Sequence, residues 1–272
     1  MSTFEASPVF RFIAKTGEWL INASVNVGAL CKLYVDTVIS FFSMGRRGYT
    51  SSARQIVSQI LFTGVEALPI VAIVALICGV TIVIQATTNM PKFGASAYFG
   101  NIMIIVVVRE LGPLLTSLIV ISRSGSALAA YIGSMRVTRE VAALEVVGIN
   151  PVHFIVMPAF MGMVLAMTAL GVYFDIIAIL GGLFIAYVTL NIPLKNFFDE
   201  IVAALEFDDL AVFAVKAVLY GSVIAIISCY SGLLARTERD VPKATRSSVV
   251  WSMATTMVIN VLITITVYTW LN

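Results

Sequence analysis

The sequence predicts an all-α integral membrane protein with five transmembrane helices. Hydrophobic residues make up 60% of its 272 residues and charged residues only 12%, against roughly 25% charged residues in a soluble domain. Apolar runs close to the roughly 20 residues that a helix needs to cross a bilayer recur along the chain. Together these features indicate a multi-pass membrane protein and predict no nucleic-acid partner.

Residues 1–55 are predicted to form an amphipathic interfacial helix followed by a basic connector. Polar side chains recur from Arg11 to Asp36 at intervals close to the helical repeat, with apolar side chains between them. Such a helix lies in the membrane interface with one face in lipid, and packing on the protein itself is the alternative. The connector carries three arginines, Arg46, Arg47 and Arg54.

Five apolar runs are predicted to cross the membrane. The third run, of about forty residues, is either one long broken helix with an outer extension or a tight hairpin of two spans. The fourth run carries Lys216 near its start, and tryptophans lie near both ends of the last run as interfacial anchors. The predicted spans are 67–84, a run that begins near residue 98, 151–191, 210–234 and 249–271.

The distribution of positive charge favours five spans over six. With the N-terminus inside, six basic residues before residue 61, three in 123–139 and four in 236–246 lie inside. Only Lys92 and Lys195 then lie outside. A hairpin at 151–191 would move the basic stretch 236–246 outside, against the positive-inside rule. The sequence therefore predicts a cytoplasmic N-terminus and a C-terminus on the opposite side.

An adjacent charged pair, Arg109 and Glu110, lies inside the second run. Each charge near a bilayer centre costs roughly 2.5–3.5 kcal/mol on insertion scales, so we expect both residues to have partners. Neighbouring helical residues point about 100° apart, so the pair cannot be satisfied by itself. Lys216 is a candidate partner, with snorkelling to the interface as its alternative. The Gly112-Pro113 step directly afterwards weakens the helix and frees backbone groups.

Two further patterns follow on the second run. Small residues repeat every fourth position, which lets helices approach closely, either within the chain or in a subunit contact. The segment 137–147 is too short and too charged to cross, and is predicted to be a helix with Thr138 as N-cap, Glu140 in its first turn and a stop at Gly148 with Pro151. The repeating small residues are Gly125, Ala129 and Gly133, and Ser122, Ser126 and Ala130.

The residue types offer no catalytic or metal site. Three widely separated cysteines and the single histidine, His153, form no ligand set or disulfide framework. The chain also lacks the Gly-x-x-x-x-Gly-Lys-Ser/Thr loop that binds nucleotide phosphates. We therefore predict that the chain is not an enzyme and holds no cofactor, and that any ATP hydrolysis comes from a separate subunit.

Three motifs together identify a family resemblance. They read RELGP at 109–113, SRSGSA at 122–127 and IGSMRVTRE at 132–140. This combination resembles the MlaE/YrbE permeases, the membrane subunits of the MCE-type lipid ABC transporters. The resemblance covers nearly everything after about residue 55, so a permease domain is predicted over 56–272. Asn260 stands where many relatives carry an acidic residue, and this neutral amide weakens the case for an ionic role there.

The resemblance implies an ATP-driven lipid transporter of the cell inner membrane, with phospholipid as the expected substrate and a periplasmic C-terminus. Its expected partners are a second copy of the chain, two copies of an ATP-binding cassette ATPase and a ring of MCE-domain proteins. The 137–147 segment would be the cytoplasmic coupling helix between spans two and three that docks on the ATPase. The implied coupling residues are Arg136, Arg139, Glu140, Leu144 and Glu145.

The resemblance also implies a lipid cavity at the centre of the permease dimer. Its expected lipid-binding residues are Arg109, Glu110, Gln85 and Lys216. An anionic headgroup is expected to supply the counter-charge that Arg109 lacks, while Asp175 is expected to line the interior or cap a helix break. A structural ion-pair network is the alternative role of the charged residues.

Two other functions remain as alternatives to an ABC permease. A secondary transporter or channel without an ATPase would use Arg109, Glu110 and Asp175 as an ion relay. Internal repeats would support it, but the 106–151 pattern has no second copy. A membrane enzyme would need a nucleophile-base pair or a metal cluster near the charged site, and the sequence offers neither.

Overall fold

The computed structural model describes residues 27–40, 49–89, 103–190 and 194–270, which are helical apart from short turns. Within these residues, five helices are long and apolar enough to cross a membrane. The predicted fold class is therefore confirmed, and the third run is one helix rather than a hairpin. The spans, numbered in chain order, are Ala53–Ala86, Ile104–Val137, Val152–Val188, Phe207–Leu233 and Glu238–Val267.

The helices are numbered in chain order. Helix α1 comprises residues 27–40. The later helices are α2 (Tyr49–Thr63), α3 (Leu68–Asn89), α4 (Gly112–Val120), α5 (Ser126–Val137), α6 (Glu140–Val146), α7 (Met157–Leu190), α8 (Leu194–Ala204), α9 (Phe207–Leu233) and α10 (Val241–Trp270). Three π-helical segments, Ile104–Leu111, Ile121–Gly125 and Val152–Val156, and two 3₁₀ turns, Val65–Ala67 and Glu238–Asp240, complete the spans.

The irregularity expected at the Gly112-Pro113 step is a change from π-helix to α-helix. The π-helical segment Ile104–Leu111 ends where α4 begins, and the Gly112 amide donates to the carbonyl of Val107, five residues back. Pro113 occupies the first turn of α4, where a missing N–H is tolerated. The second span therefore continues through the step without breaking, and Arg109 and Glu110 lie in its wider π-helical part.

The third span packs against both helices of the first span, α2 and α3, and against the fourth span. Two of these crossings depend on glycine. A Cβ at Gly79 would lie 1.9 Å from the carbonyl oxygen of Ala178, and one at Gly221 would lie 2.8 Å from the Cα of Val164. Small residues at such crossings let the helix backbones approach closely in lipid.

The stripe of small residues at Gly125, Ala129 and Gly133 packs inside the chain. A Cβ at Gly125 would lie 3.2 Å from side-chain atoms of the fourth span. Gly232 of that span lies against the backbone of Ala129, and Gly133 faces Val241 of the fifth span. Of the two uses left open by the sequence, this stripe therefore serves contacts between spans two, four and five.

The short charged helix differs from its predicted form. It is α6, Glu140–Val146, and the preceding helix continues to Val137. Thr138 is not its N-cap: its amide donates to the Ser134 carbonyl and so closes α5. Arg139, with a left-handed φ of 63°, takes the N-cap position instead. Gly148, with a φ of 84°, ends the helix as predicted.

Most of the predicted interfacial helix lies outside the described residues, as do Arg46 and Arg47. Within α1, Leu30 and Leu33 pack against the core, and the ring of Tyr34 meets Phe160 edge-to-face with centroids 5.9 Å apart. This part of the segment therefore contacts the protein itself. The interfacial position of the remainder and the domain boundary at residue 55, which falls within α2, stay predictions.

Candidate functional site

Two charged pairs join the second and fourth spans. Arg109 donates through Nε to the carboxylate of Asp209, and Lys216 donates through Nζ to Oε1 of Glu110 at 2.7 Å. Asp209 and Lys216 are seven residues apart on α9, about two helical turns, so they share one face. We call these four residues the charged cluster. Each member of the adjacent Arg-Glu pair thus finds its own partner on the fourth span.

Lys216 is wholly buried, and its ammonium has three acceptors. Besides Glu110, it donates to the carbonyl oxygen of Arg109 at 2.8 Å and to the hydroxyl of Thr264 at 3.3 Å. The π-helical hydrogen bonds of the second span end at the Gly112 amide. In the α-helix that follows, the carbonyl of residue 109 would accept from the N–H of residue 113, but this residue is a proline and has no N–H. The proline thus leaves an acceptor for the lysine, whose three donors all find partners.

The fifth span completes the shell around Glu110 with neutral groups. Oε1 of Glu110 accepts from the Thr264 hydroxyl at 2.9 Å, and Oε2 accepts from the Asn260 amide at 3.2 Å. Asn260 in turn accepts from the Tyr220 hydroxyl at 2.5 Å. The amide at position 260 therefore acts as a hydrogen-bonding bridge between spans two, four and five.

Asp209 is held in place by the start of its own helix. Its Oδ2 accepts from the Glu206 amide at 2.9 Å in a reciprocal capping box that begins α9. Its Oδ1 accepts from Arg109. One carboxylate oxygen thus caps the helix while the other faces the guanidinium, which positions this almost fully buried side chain for Arg109.

Asp175, on the third span, lies against the helix change at Gly112. A Cβ on that glycine would lie 2.0 Å from Oδ1 of Asp175. The carboxyl is buried, and among the described residues Oδ1 has no hydrogen-bond partner. Asp175 therefore lines the interior at a helix irregularity, as expected.

The part of the chain that builds this site matches a known family model, Permease MlaE, over residues 56–266. The chain belongs to the MlaE permease family. A probable ABC transporter permease protein of Rickettsia felis is 32% identical over 252 residues, which are 90% of this chain and 97% of that protein. One from Rickettsia typhi is 34% identical over 210 residues, which are 77% of this chain and 81% of that protein.

A relative whose name states its substrate has a lower sequence identity to this chain. The intermembrane phospholipid transport system permease protein MlaE of Haemophilus influenzae is 27% identical over 228 residues, covering 78% of this chain and 87% of that protein. These matches confirm the resemblance found in the three motifs. The chain is an ABC transporter permease of the MlaE family.

The structure of this MlaE-family permease unites three of the four predicted lipid-binding residues. Arg109, Glu110 and Lys216 meet in the charged cluster, whereas Gln85 lies exposed near the end of the first span. The expectation that Arg109 lacks a protein counter-charge was wrong, because Asp209 supplies it. Snorkelling of Lys216 is also excluded, since its ammonium is buried.

The predicted coupling residues lie on and beside α6. Four of them are exposed: Arg136, Arg139, Glu140 and Glu145. Leu144 differs, because it is half-buried and packs toward the core of its own chain. Val146 and Val147, which the sequence interpretation did not name, are 88% and 74% exposed. Two neighbouring apolar side chains at the end of a short charged helix are the sequence feature that could have pointed to this exposed surface.

Proposed function

We propose that this chain is the permease subunit of an ATP-driven phospholipid transporter that works with MCE proteins between the inner and outer membranes. The observation that carries the proposal is the uneven burial of the charged cluster. Lys216 and Asp209 are buried, whereas Arg109 and Glu110 keep 16% and 28% of their side-chain surface exposed. A lipid headgroup reaching the cluster would therefore meet the second span.

Arg109 retains the capacity to bind an anionic headgroup. Among the described residues only its Nε donates to a partner, Asp209. The terminal nitrogens of a guanidinium form a fork that suits phosphate oxygens. We infer that Arg109 contacts the headgroup, that Glu110 and Lys216 form the polar floor beside it, and that Gln85 lies nearer the outer mouth.

A second copy of the chain is proposed to complete the cavity. One face of the fifth span carries Asn260 and Thr264, which donate hydrogen bonds to Glu110. On another face of the same helix, the side chains of Val258 and Val261 are more than half exposed. This apolar surface borders the charged cluster, so a symmetric partner placed there would enclose the two clusters together. The second stripe of small residues, which includes Ser122 and Ser126, lies farther along the second span, toward the end opposite the charged cluster.

The end of the bundle that carries α6 is proposed to face the cytoplasm and two ATPase subunits. It holds Arg136, Arg139, Arg236 and Arg239, all exposed, as the positive-inside rule requires of a cytoplasmic end. We call it the basic end. The N-terminus would then be cytoplasmic and the C-terminus periplasmic, with α6 as the coupling helix and the MCE ring on the far side.

The test is purification of the full chain from its native membrane, followed by transport in proteoliposomes. We expect an ATPase and an MCE-domain protein to co-purify, mass spectrometry to find phospholipid, and transfer to stop when the ATPase carries an inactivating substitution in its phosphate-binding loop. A permease that purifies alone and moves solute without ATP would support the secondary transporter instead.

A further inference from the structure

Two aspartates are buried among the described residues, Asp175 and Asp209. Asp209 has a counter-charge in Arg109 and also caps its own helix. Asp175, which is 8% exposed, forms no ion pair within the described ranges. The two cations of the charged cluster are already paired, Arg109 with Asp209 and Lys216 with Glu110. Asp175 is therefore a buried carboxyl group without a counter-charge.

The contact with Gly112 places the Asp175 carboxyl group well inside the membrane. Gly112 follows the start of the second span, Ile104, by eight residues, or about 12 Å at 1.5 Å per residue. An ionised carboxylate is costly at such a depth unless water or a cation accompanies it. Taking up a proton removes that cost, because the neutral acid carries no charge to bury. The surroundings of Asp175 therefore favour its uncharged form.

The second span lacks a backbone donor beside the same glycine. In an α-helix the carbonyl of Val108 would accept from the N–H of residue 112, and in a π-helix from that of residue 113. The Gly112 amide donates to Val107 instead, and residue 113 is a proline without an N–H. The nearby Lys216 donates to the carbonyl of Arg109. The carbonyl of Val108, a buried residue, is left without a backbone donor, although buried carbonyls are almost always paired.

Asp175 lies against the turn that contains this carbonyl. The Cα–Cβ bonds of a helix tilt toward its N-terminus, so a Cβ on Gly112 would lie over the preceding turn. That Cβ would lie 2.0 Å from Oδ1 of Asp175 and 3.1 Å from the carbonyl oxygen of Val107. Oδ1 has no hydrogen-bond partner among the described residues. A carboxyl oxygen and a backbone carbonyl, both acceptors without a donor, thus adjoin one glycine.

We propose that Asp175 is a proton-binding site: its side chain is a neutral carboxylic acid whose O–H donates to the carbonyl of Val108. One proton satisfies both groups, because a protonated carboxyl gains a donor as it loses its charge. The third span thereby supplies a donor at Val108, as Lys216 of the fourth span does at Arg109. The site fastens the third span to the second and does not depend on the substrate that the permease carries.

The test is infrared spectroscopy of the full-length permease at neutral pH, in a maltoside detergent whose molecules contain no carbonyl group. Aspartate labelled with ¹³C in its side-chain carboxyl is incorporated during cell-free synthesis. The difference from the unlabelled protein then isolates the six aspartates of the chain. We expect a C=O stretching band of a protonated carboxyl that shifts on labelling. It should vanish in Asp175→Asn and persist in Asp209→Asn, which removes the other buried aspartate.

A spectrum without such a band would overturn the proposal, and so would a band that persists unchanged in Asp175→Asn. The first result is expected if a water molecule joins an ionised carboxylate to the carbonyl. If Asp175→Asn does not fold, the spectrum of Asp209→Asn decides, because the other four aspartates are exposed or half-buried. A band in that spectrum supports the proposal, and its absence contradicts it.

A second measurement compares the Tm of two variants of similar size. Asp175→Asn keeps an N–H donor for the carbonyl, so its Tm should stay close to that of the unchanged protein. Asp175→Leu removes the donor and should lower the Tm, because the carbonyl of Val108 is then buried without a partner. An unchanged or higher Tm for Asp175→Leu would contradict the hydrogen bond.

Discussion

The ammonium of Lys216, on the fourth span, lies 2.7 Å from the carboxylate of Glu110, on the second span, and the lysine side chain is wholly buried. The contact depends on the irregular second span, because the proline at 113 leaves the carbonyl of Arg109 available as a second acceptor. Helix geometry, ion pairing and the position of the fourth span are therefore coupled at this one side chain.

Lys216→Met should destabilise the permease, and adding Glu110→Gln should restore much of the loss. Breaking a buried ion pair costs roughly 3–5 kcal/mol because one charge is left unpaired. The partial exposure of Glu110 should reduce that cost. The Tm of the purified single and double variants measures it, and a double variant no more stable than Lys216→Met would contradict the pairing.

The matched control is Lys243→Met. Lys243 also pairs with a carboxylate, that of Asp240, but its side chain is 78% exposed. An exposed pair contributes little because water and salt screen it. Its Tm should therefore stay close to that of the unchanged protein.

Gly112→Ala should also destabilise the fold. The added Cβ would lie 2.0 Å from Oδ1 of Asp175, and overpacking of this kind typically costs about 1–3 kcal/mol. Gly112→Ala combined with Asp175→Ala should recover stability because the carboxyl group is gone. Gly28→Ala is the control, since nothing lies within 4 Å of its added Cβ. Equal Tm values for the two single variants would show that Asp175 does not pack on this glycine.

Much of this fold follows from local patterns in the sequence. The five spans and the stop at Gly148 depend on composition, charge and backbone conformation over a few residues. The prediction that Thr138 is the N-cap of α6 was wrong, and the cause is also local. Threonine is a favoured N-cap, but here its amide completes the preceding helix, so the turn begins one residue later at Arg139. Capping preference alone does not show whether a residue between two neighbouring helices ends the first helix or begins the second.

The site could be predicted only in part, because its contacts depend on the register between spans. The cost of burying a charge indicated that Arg109 and Glu110 need partners, and it favoured Lys216. It did not distinguish a protein carboxylate from a lipid phosphate beside Arg109. The seven-residue spacing of Asp209 and Lys216 was the available signal, since it places both on one face of α9. No comparable spacing indicated the role of Asn260, because its hydrogen-bond partners lie on two other spans.

Val146→Asp should weaken association with the ATPase while leaving the permease folded. Val146 is 88% exposed, so its replacement removes no packing within the chain. Glu140→Lys with Glu145→Lys should act similarly through charge. Co-purification and the Tm of the isolated permease measure the two effects, and Val146→Thr is the milder control. Normal association and coupling in both charged variants would show that α6 docks through other residues.

Topology can be tested with single cysteines in a cysteine-free background. In intact cells, an impermeant thiol reagent should label Asp208→Cys and Asn272→Cys but neither Ser2→Cys nor Glu238→Cys. Asp208 is preferred to Glu206 because the side chain of Glu206 caps α9. Asp208 at the start of the fourth span and Glu238 at the start of the fifth are both exposed, and the fourth span separates them. Labelling of Glu238→Cys without Asp208→Cys would reverse the proposed orientation.

The role of Arg109 in lipid binding can be separated from its role in folding. Arg109→Ala leaves the buried carboxylate of Asp209 without its cation, so this variant should lose stability whether or not Arg109 contacts lipid. Asp209→Asn removes the unpaired charge and keeps an oxygen that can accept from the Glu206 amide. The double variant should therefore regain most of the lost Tm and assemble normally.

If Arg109 binds the headgroup, this restored double variant should still carry less bound phospholipid and transport it more slowly. Asp209→Asn alone keeps the guanidinium and should retain more bound lipid than the double variant, which makes it the matched control. Phospholipid measured by mass spectrometry per assembled permease, together with ATP-dependent transfer in proteoliposomes, separates the two roles. A double variant with normal stability, lipid content and transport would show that Arg109 serves only to fix the second span against the fourth.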